Sequence, residues 1–208
     1  MSVVFKYLTL VVFFLIIQPA LADSSSHKKI RNIFWSKIYN NDFKTLYCGL
    51  DKSGGLRVDL EIAYIYPASW VAKSLGCKSL KECKQDKYWQ ALSDLHNLWP
   101  VQKKFNASRG DLAFGEIVGE KPWFKTPVCD FERTTSKNAV VEPRDEIKGQ
   151  IARSFLYMVH WYDLPTHNLL PLMVKWNSEH PPTKEEIERQ EKIEVIQGRK
   201  NPFIIKVD

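Results

Sequence analysis

The chain has 208 residues, 44% of them hydrophobic and 26% charged, with a formal net charge of +6. This composition excludes a disordered or fibrous chain and supplies apolar side chains for one core of domain size. The modest basic excess suits a polyanionic partner such as nucleic acid, but charge alone selects no function.

Residues 1–22 read as a secretory signal peptide. Lys6 is the basic start, Tyr7 to Ile17 is an apolar run too short to span a bilayer, and Ala20-Leu21-Ala22 is a small-residue cleavage motif. Lys6 is the sole charged residue of that stretch, so cleavage after Ala22 would lower the +6 by one and leave a single domain over 23–208. No further long apolar run follows. The expectation is a periplasmic or secreted protein, monomeric and free of the membrane. Export implies an oxidising compartment, and Cys48, Cys77, Cys83 and Cys129 all follow the leader. Four cysteines allow three pairings. Cys77 and Cys83 are close in sequence and are expected to pair, leaving Cys48 with Cys129. A zinc site is disfavoured because no C-x-x-C spacing is present.

In chain order, residues 23–29 are polar and read as a flexible lead. Ile30, Phe34 and Ile38 recur every four residues, which predicts a helix over 28–40. Asp51 to Gly55 is turn chemistry. Val58, Leu60, Ile62, Tyr64 and Tyr66 then alternate with Asp59, Glu61, Ala63 and Ile65, a strand that Pro67 ends. Residues 84–92 read as a helix leading into a loop over 93–100. Residues 108–114 return to order, 119–127 form a loop, and 131–141 show no clear period. The last third is helical. Ile151, Phe155, Met158, Val159 and Tyr162 share a face over about 145–162, and Leu169, Leu172, Met173 and Trp176 mark a second helix. Thr183 with Glu186 is a capping box for a third, which Gly198 closes. The mixture predicts an α+β fold with few strands.

Groups that bind metal and phosphate crowd one stretch, residues 60–110. It holds His96, Asn97, Asn106 and Arg109 in segments of weak periodicity. Other features draw structural readings. Arg153 and Arg189 are expected to pair with Glu142 and Glu188 or their neighbours rather than meet phosphate. The charge run 184–192 reads as a solvated helix face. His160, His167 and His180 have no metal-ligand spacing.

The order of short motifs resembles the bacterial endonuclease I family, exported nucleases of the ββα-metal (His-Me finger) type. The motifs are Leu46-Tyr-Cys-Gly49, Tyr66-Pro-Ala-Ser-Trp70, Ser93-Asp-Leu-His-Asn-Leu98, Asn106-Ala-Ser-Arg-Gly110, Gly149-Gln-Ile-Ala-Arg153 and Asn201-Pro-Phe203. The resemblance implies a ββα-metal core with a small sheet and surrounding helices. It also implies hydrolysis of phosphodiester bonds in DNA, and also in RNA, with little sequence preference, using Mg2+ or Mn2+. In such a site a neutral imidazole, with a pKa of about 6.5, takes a proton from water. A hard cation bound by oxygen ligands stabilises the leaving alkoxide, and a guanidinium meets the phosphate.

By that resemblance Asn106 is the metal-ligand asparagine, Arg109 the phosphate-neutralising arginine, and His96 and Asn97 belong to the family's Asp-Leu-His-Asn-Leu loop. The departure lies in the strand. Where the family has Glu-His, two residues before Pro-Ala, this chain has Ala63-Tyr64. Alanine offers no ligand atom. A phenol, with a pKa of about 10, is a poor base at neutral pH. Glu61 shares the face of Ala63 about 7 Å away along the strand and is the candidate substitute ligand. His96 is the candidate substitute base. Tyr64 otherwise reads as a core aromatic beside Leu60 and Ile62. Two functions follow: a metal-dependent endonuclease with weakened chemistry, or a catalytically inactive pseudo-nuclease that still binds nucleic acid.

Overall fold

The computed structural model describes residues 23–41, 43–51, 59–119, 122–124 and 129–205. The expected leader, most of the turn at 51–55 and most of the loop at 119–127 lie outside the described residues.

Helix α1 (Ser24–Ile33) starts earlier than its apolar repeat suggested. The Asp23 carboxylate accepts from the backbone N–H of Ser25 and Ser26 at 3.0 and 2.9 Å, capping the first turn. Residues 23–29 are therefore largely helical rather than a flexible lead. The helix runs on through a π-helical turn, Phe34–Ile38, whose Phe34 and Ile38 are buried.

Strand β1 (Leu60–Tyr64) follows, then short helices α2 (Ala68–Ser74) and α3 (Asp86–Leu92). A single 3-10 turn, Leu95–Asn97, leads into strand β2 (Leu98–Gln102) and at once into helix α4 (Lys103–Arg109). The expected loop over 93–100 thus contains the start of a strand. All of β2 is buried, so it lacks the in-out alternation that marks a strand in sequence. β1 and β2 pair antiparallel, with Glu61 opposite Val101, Ala63 opposite Trp99 and Tyr64 opposite Leu98. α4 packs on both strands. Two strands and one crossing helix make the ββα unit.

A second small sheet joins β3 (Ala113–Phe114), β4 (Phe131–Arg133) and β5 (Val140–Pro143) in the order β3-β5-β4. Two of these strands lie in the stretch over 131–141 that showed no period. Their three or four residues are too few to display one.

Helices α5 (Lys148–Tyr162), α6 (Leu170–Glu179) and α7 (Lys184–Gln197) form the helical third. A 3-10 turn, Asp145–Ile147, precedes α5. α5 is the central helix, with Ile151, Phe155, Tyr157 and Met158 essentially inaccessible. Gly149 lets the end of α6 approach closely, because a Cβ there would lie 2.2 Å from the His180 carbonyl oxygen. Below that contact Arg153 is fully buried. It donates from Nε and Nη2 to the Glu186 carboxylate at 2.8 and 2.6 Å and from Nη1 to the His180 carbonyl at 2.7 Å.

Arg153 therefore pairs with Glu186, not with Glu142, which takes Lys148 at 2.7 Å. Glu186 leaves the expected capping box incomplete. The Thr183 hydroxyl accepts from the Glu186 N–H, but the Glu186 carboxylate is committed to Arg153. Nor is the 184–192 run wholly solvated, since Glu186, Arg189 and Gln190 are buried. Gly198, at φ 70°, closes α7 as its position suggested.

Both expected disulfides are present. Cys48–Cys129 spans 81 residues and Cys77–Cys83 spans 6. In the chain-entropy account the stabilisation grows with loop length. Cys48→Ser/Cys129→Ser should cost about 4 kcal/mol and Cys77→Ser/Cys83→Ser about 2 kcal/mol, read from urea unfolding. A larger loss from the short loop would contradict the loop-length account.

Candidate active site

The ββα unit gathers three of the expected residues. Glu61 lies on β1, and Asn106 lies across from it on α4. The Asn106 Nδ2 donates to Glu61 Oε2 at 2.9 Å. That bond leaves Asn106 Oδ1 and the second carboxylate oxygen free of it as further lone-pair oxygens.

Arg109 sits one turn further along α4 and is buried. Its Nη1 and Nη2 donate to the carbonyls of Tyr64, at 2.5 Å, and Ile65, at 2.8 Å. Its guanidinium lies over Phe114 at 4.6 Å from the ring centre. Arg109 thus ties α4 to the end of β1, the spot where the two altered positions fall. Ala63 points into the core and is inaccessible.

Tyr64 faces the other way, toward α1. Its hydroxyl lies 3.1 Å from His27 Nε2, and the His27 ring sits between Tyr64 and Trp89 with ring centres 6.3 and 5.9 Å apart. Burial raises the Tyr64 phenol above its ordinary value, against the pull of Arg31. Burial lowers the His27 imidazole, assisted by the positive charge of Arg31. At neutral pH the pair is therefore a protonated phenol beside a neutral imidazole.

Sequence reasoning missed His27. The signal was present, because His27 precedes Ile30 by three and Phe34 by seven, on the stripe of the helix that faces the core. Reading residues 23–29 as flexible hid it.

His96 and Asn97 stand in a different setting. Asn97 is inaccessible, and its side chain accepts from the Tyr66 N–H at 2.7 Å and donates to the Tyr66 carbonyl at 3.0 Å. It continues the pairing of β1 and β2 by two residues. His96 is 1% exposed. Its Nε2 lies 3.2 Å from the Arg199 carbonyl, which fixes the proton on that nitrogen, and its ring packs on Tyr157 at 4.4 Å. Burial pushes the imidazole down to about 4, against the pull of Asp94. Neither its hydrogen bonds nor its ring contact reach Tyr64, Asn106 or Arg109.

Asp94 holds that second centre. Its buried carboxylate accepts from the His96 N–H, the Gln197 side chain, the hydroxyls of Tyr157 and Tyr162, and Arg199. Burial, then the Asp94 charge, raises both phenols. The motif around Asp94 thus braces the loop between α3 and β2 against α5 and α7. Arg189 also serves structure. Its side chain donates to the Tyr39 hydroxyl and to the carbonyls of Leu95 and Leu98, and it stacks over Trp99 at 3.9 Å.

A two-stranded antiparallel ladder, a crossing helix that carries an asparagine and an arginine, and a carboxylate facing that asparagine define a nuclease-type ββα unit. The family model for Endonuclease I matches residues 16–207, and the chain belongs to that family. An extracellular deoxyribonuclease of Aeromonas hydrophila is 27% identical over 96% of this chain and 96% of its own. A periplasmic deoxyribonuclease of the same organism is 26% identical over 82% of this chain and 81% of its own. An extracellular ribonuclease of Bacillus amyloliquefaciens is 30% identical over 54% of this chain and 43% of its own.

The depressed His96 pKa makes a stability prediction. A lowered value means that the fold favours the neutral ring, so the contribution is complete above the unfolded value of about 6.5 and is lost as pH falls toward 4. Between pH 7 and 4.5 the wild type should lose roughly 2 to 3 kcal/mol more than His96→Gln, in urea unfolding at both pH values. Equal acid sensitivity of the two proteins would contradict a buried neutral imidazole.

Proposed function

We propose that this chain is an exported, metal-dependent endonuclease that hydrolyses phosphodiester bonds in nucleic acid, with a metal-and-phosphate half in which Glu61 stands in for the ligand lost at Ala63, and with a weakened base. The observation that carries the proposal is the Glu61–Asn106 pair at 2.9 Å. Glu61 restores a carboxylate to the strand face from which Ala63 has removed one. The names of the Aeromonas relatives support DNA as substrate and the periplasm or the medium as location.

The donor set fits a hard cation. Mg2+ favours oxygen ligands, keeps several waters, and is commonly held by one or two protein oxygens together with substrate phosphate. The Glu61 carboxylate and Asn106 Oδ1 supply two such oxygens. A bound Mg2+ or Mn2+ supplies charge stabilisation at the phosphate and the leaving oxygen. Arg109 adds positive charge from one turn away, with two of its N–H groups engaged by carbonyls.

The base half is weak for a stated reason. The Tyr64 phenol is held protonated by burial, and His27 Nε2 faces that phenol instead of open water. His96 is assigned a structural role, because an imidazole at 1% exposure has no path to an attacking water. A general base is worth roughly 100- to 10,000-fold, so turnover should fall short of an intact site by about that factor.

A second reading is a pseudo-nuclease that binds nucleic acid without cutting it, favoured by the inaccessible Ala63. The two readings separate in one assay, nicking of supercoiled plasmid by the chain from residue 23 with Mg2+ or Mn2+. Slow nicking that Glu61→Ala and Asn106→Ala each abolish is expected, with a gain of roughly 100-fold or more in Ala63→Glu/Tyr64→His. Nicking in the double variant alone establishes the pseudo-nuclease. Nicking in neither, together with no plasmid binding that weakens with salt, removes both readings.

A further inference from the structure

Beyond the ββα unit, one aromatic patch is unexplained by packing. Residues 122–124 lie on β4, held by the Trp123 N–H to the Phe131 carbonyl at 2.9 Å and by the bridge of Pro122 to Glu132. Phe124 turns inward against Phe105 at 4.7 Å. Trp123 turns outward and is 36% exposed.

A cation meets each of the two rings. The Arg133 guanidinium lies 4.7 Å from the centre of the Trp123 ring, and its Nη1 donates to the Ser108 carbonyl of α4 at 2.6 Å. The Lys104 ammonium stands 4.0 Å over the Phe124 ring and is open to solvent. The patch is therefore joined to α4, the helix that carries Asn106. Positions 104 and 108 share one flank of α4, and 106 lies on the other. The exposed crest between them is Ala107, a small side chain that lets a backbone pass. The crossing is one helix wide, about 10 Å, within reach of a short run of nucleotides.

We propose that Trp123, with Arg133 and Lys104, is a stacking platform for an unpaired base of a single-stranded nucleic acid whose backbone crosses α4 at Ala107 toward Asn106. The inference rests on the nuclease reading and adds to it a subsite for unpaired strands, beside the duplex binding that plasmid nicking requires. The guanidinium presents a cation to phosphate and backs the indole, whose exposed part offers a π-surface. A duplex keeps its base faces covered by their neighbours, so an unpaired base is the part of a nucleic acid that this surface fits.

The test uses the chain from residue 23 in EDTA, with fluorescence anisotropy of a fluorescein-labelled deoxythymidine 12-mer and of a labelled duplex of equal length. Trp123→Ala should weaken single-strand binding about tenfold and leave duplex binding unchanged. Trp123→Phe should restore most of the loss, which a merely misfolded variant would not. Lys104→Ala should weaken both forms and shallow the salt dependence by about one phosphate contact.

Single-strand binding by Trp123→Ala equal to wild type overturns the platform and leaves the nuclease reading standing. An equal loss for duplex overturns the single-strand assignment. Wild-type protein that binds neither probe and nicks no plasmid overturns the nuclease reading and the platform together.

Discussion

The candidate site depends on how one guanidinium is used. α4 has seven residues and would not be stable alone, since a helix that short has barely repaid its nucleation. Arg109 anchors it by donating to two successive carbonyls at the end of β1 and by lying on Phe114. Phe105 provides the apolar half of the anchor among Phe124 and Phe131. With α4 held there, Asn106 has to face β1 at Glu61. A buried arginine that satisfies main-chain oxygens is both a structural pin and a fixed positive charge one turn from Asn106.

The residues that look most like catalytic machinery in sequence are divided between two centres. One is the Glu61–Asn106–Arg109 corner. The other is the Asp94 centre, where a carboxylate with five donors holds two tyrosines, a glutamine, an arginine and the backbone of His96. A buried charge is tolerable only where its lone pairs are met, and here they are. The same holds for Arg153 of α5 with Glu186 of α7. Breaking either set would strand a charge in the core, which is costly.

The chain joins the family's frame to an altered strand. Glu61, two residues before Ala63, shares its face, because side chains alternate along a strand. That is why Glu61 meets Asn106 although Ala63 cannot. The imidazole has no such equivalent. Tyr64 turns toward α1, where His27 meets its hydroxyl and packs in turn against Trp89. The Glu61–Asn106–Arg109 corner is thus physically separate from the Tyr64–His27 pair.

Much was legible from residue order alone. The α+β mixture, the apolar faces of α5 and α6, Gly198 at the end of α7 and both disulfide pairs follow from local rules of period, turn chemistry and spacing. The motif order named the family, and the Ala63-Tyr64 departure could be read without coordinates. What needed tertiary structure was partner choice across the chain. The ring of His96 goes to the Arg199 carbonyl, 103 residues away. Arg153 takes Glu186 over Glu142, and His27 reaches Tyr64 from a helix that local polarity had disguised. A side chain's type limits which chemistry it can do, and that limit is written in sequence. Whether it faces water, a phosphate or a buried carbonyl depends on burial and on contacts between distant segments, which only the packed fold decides.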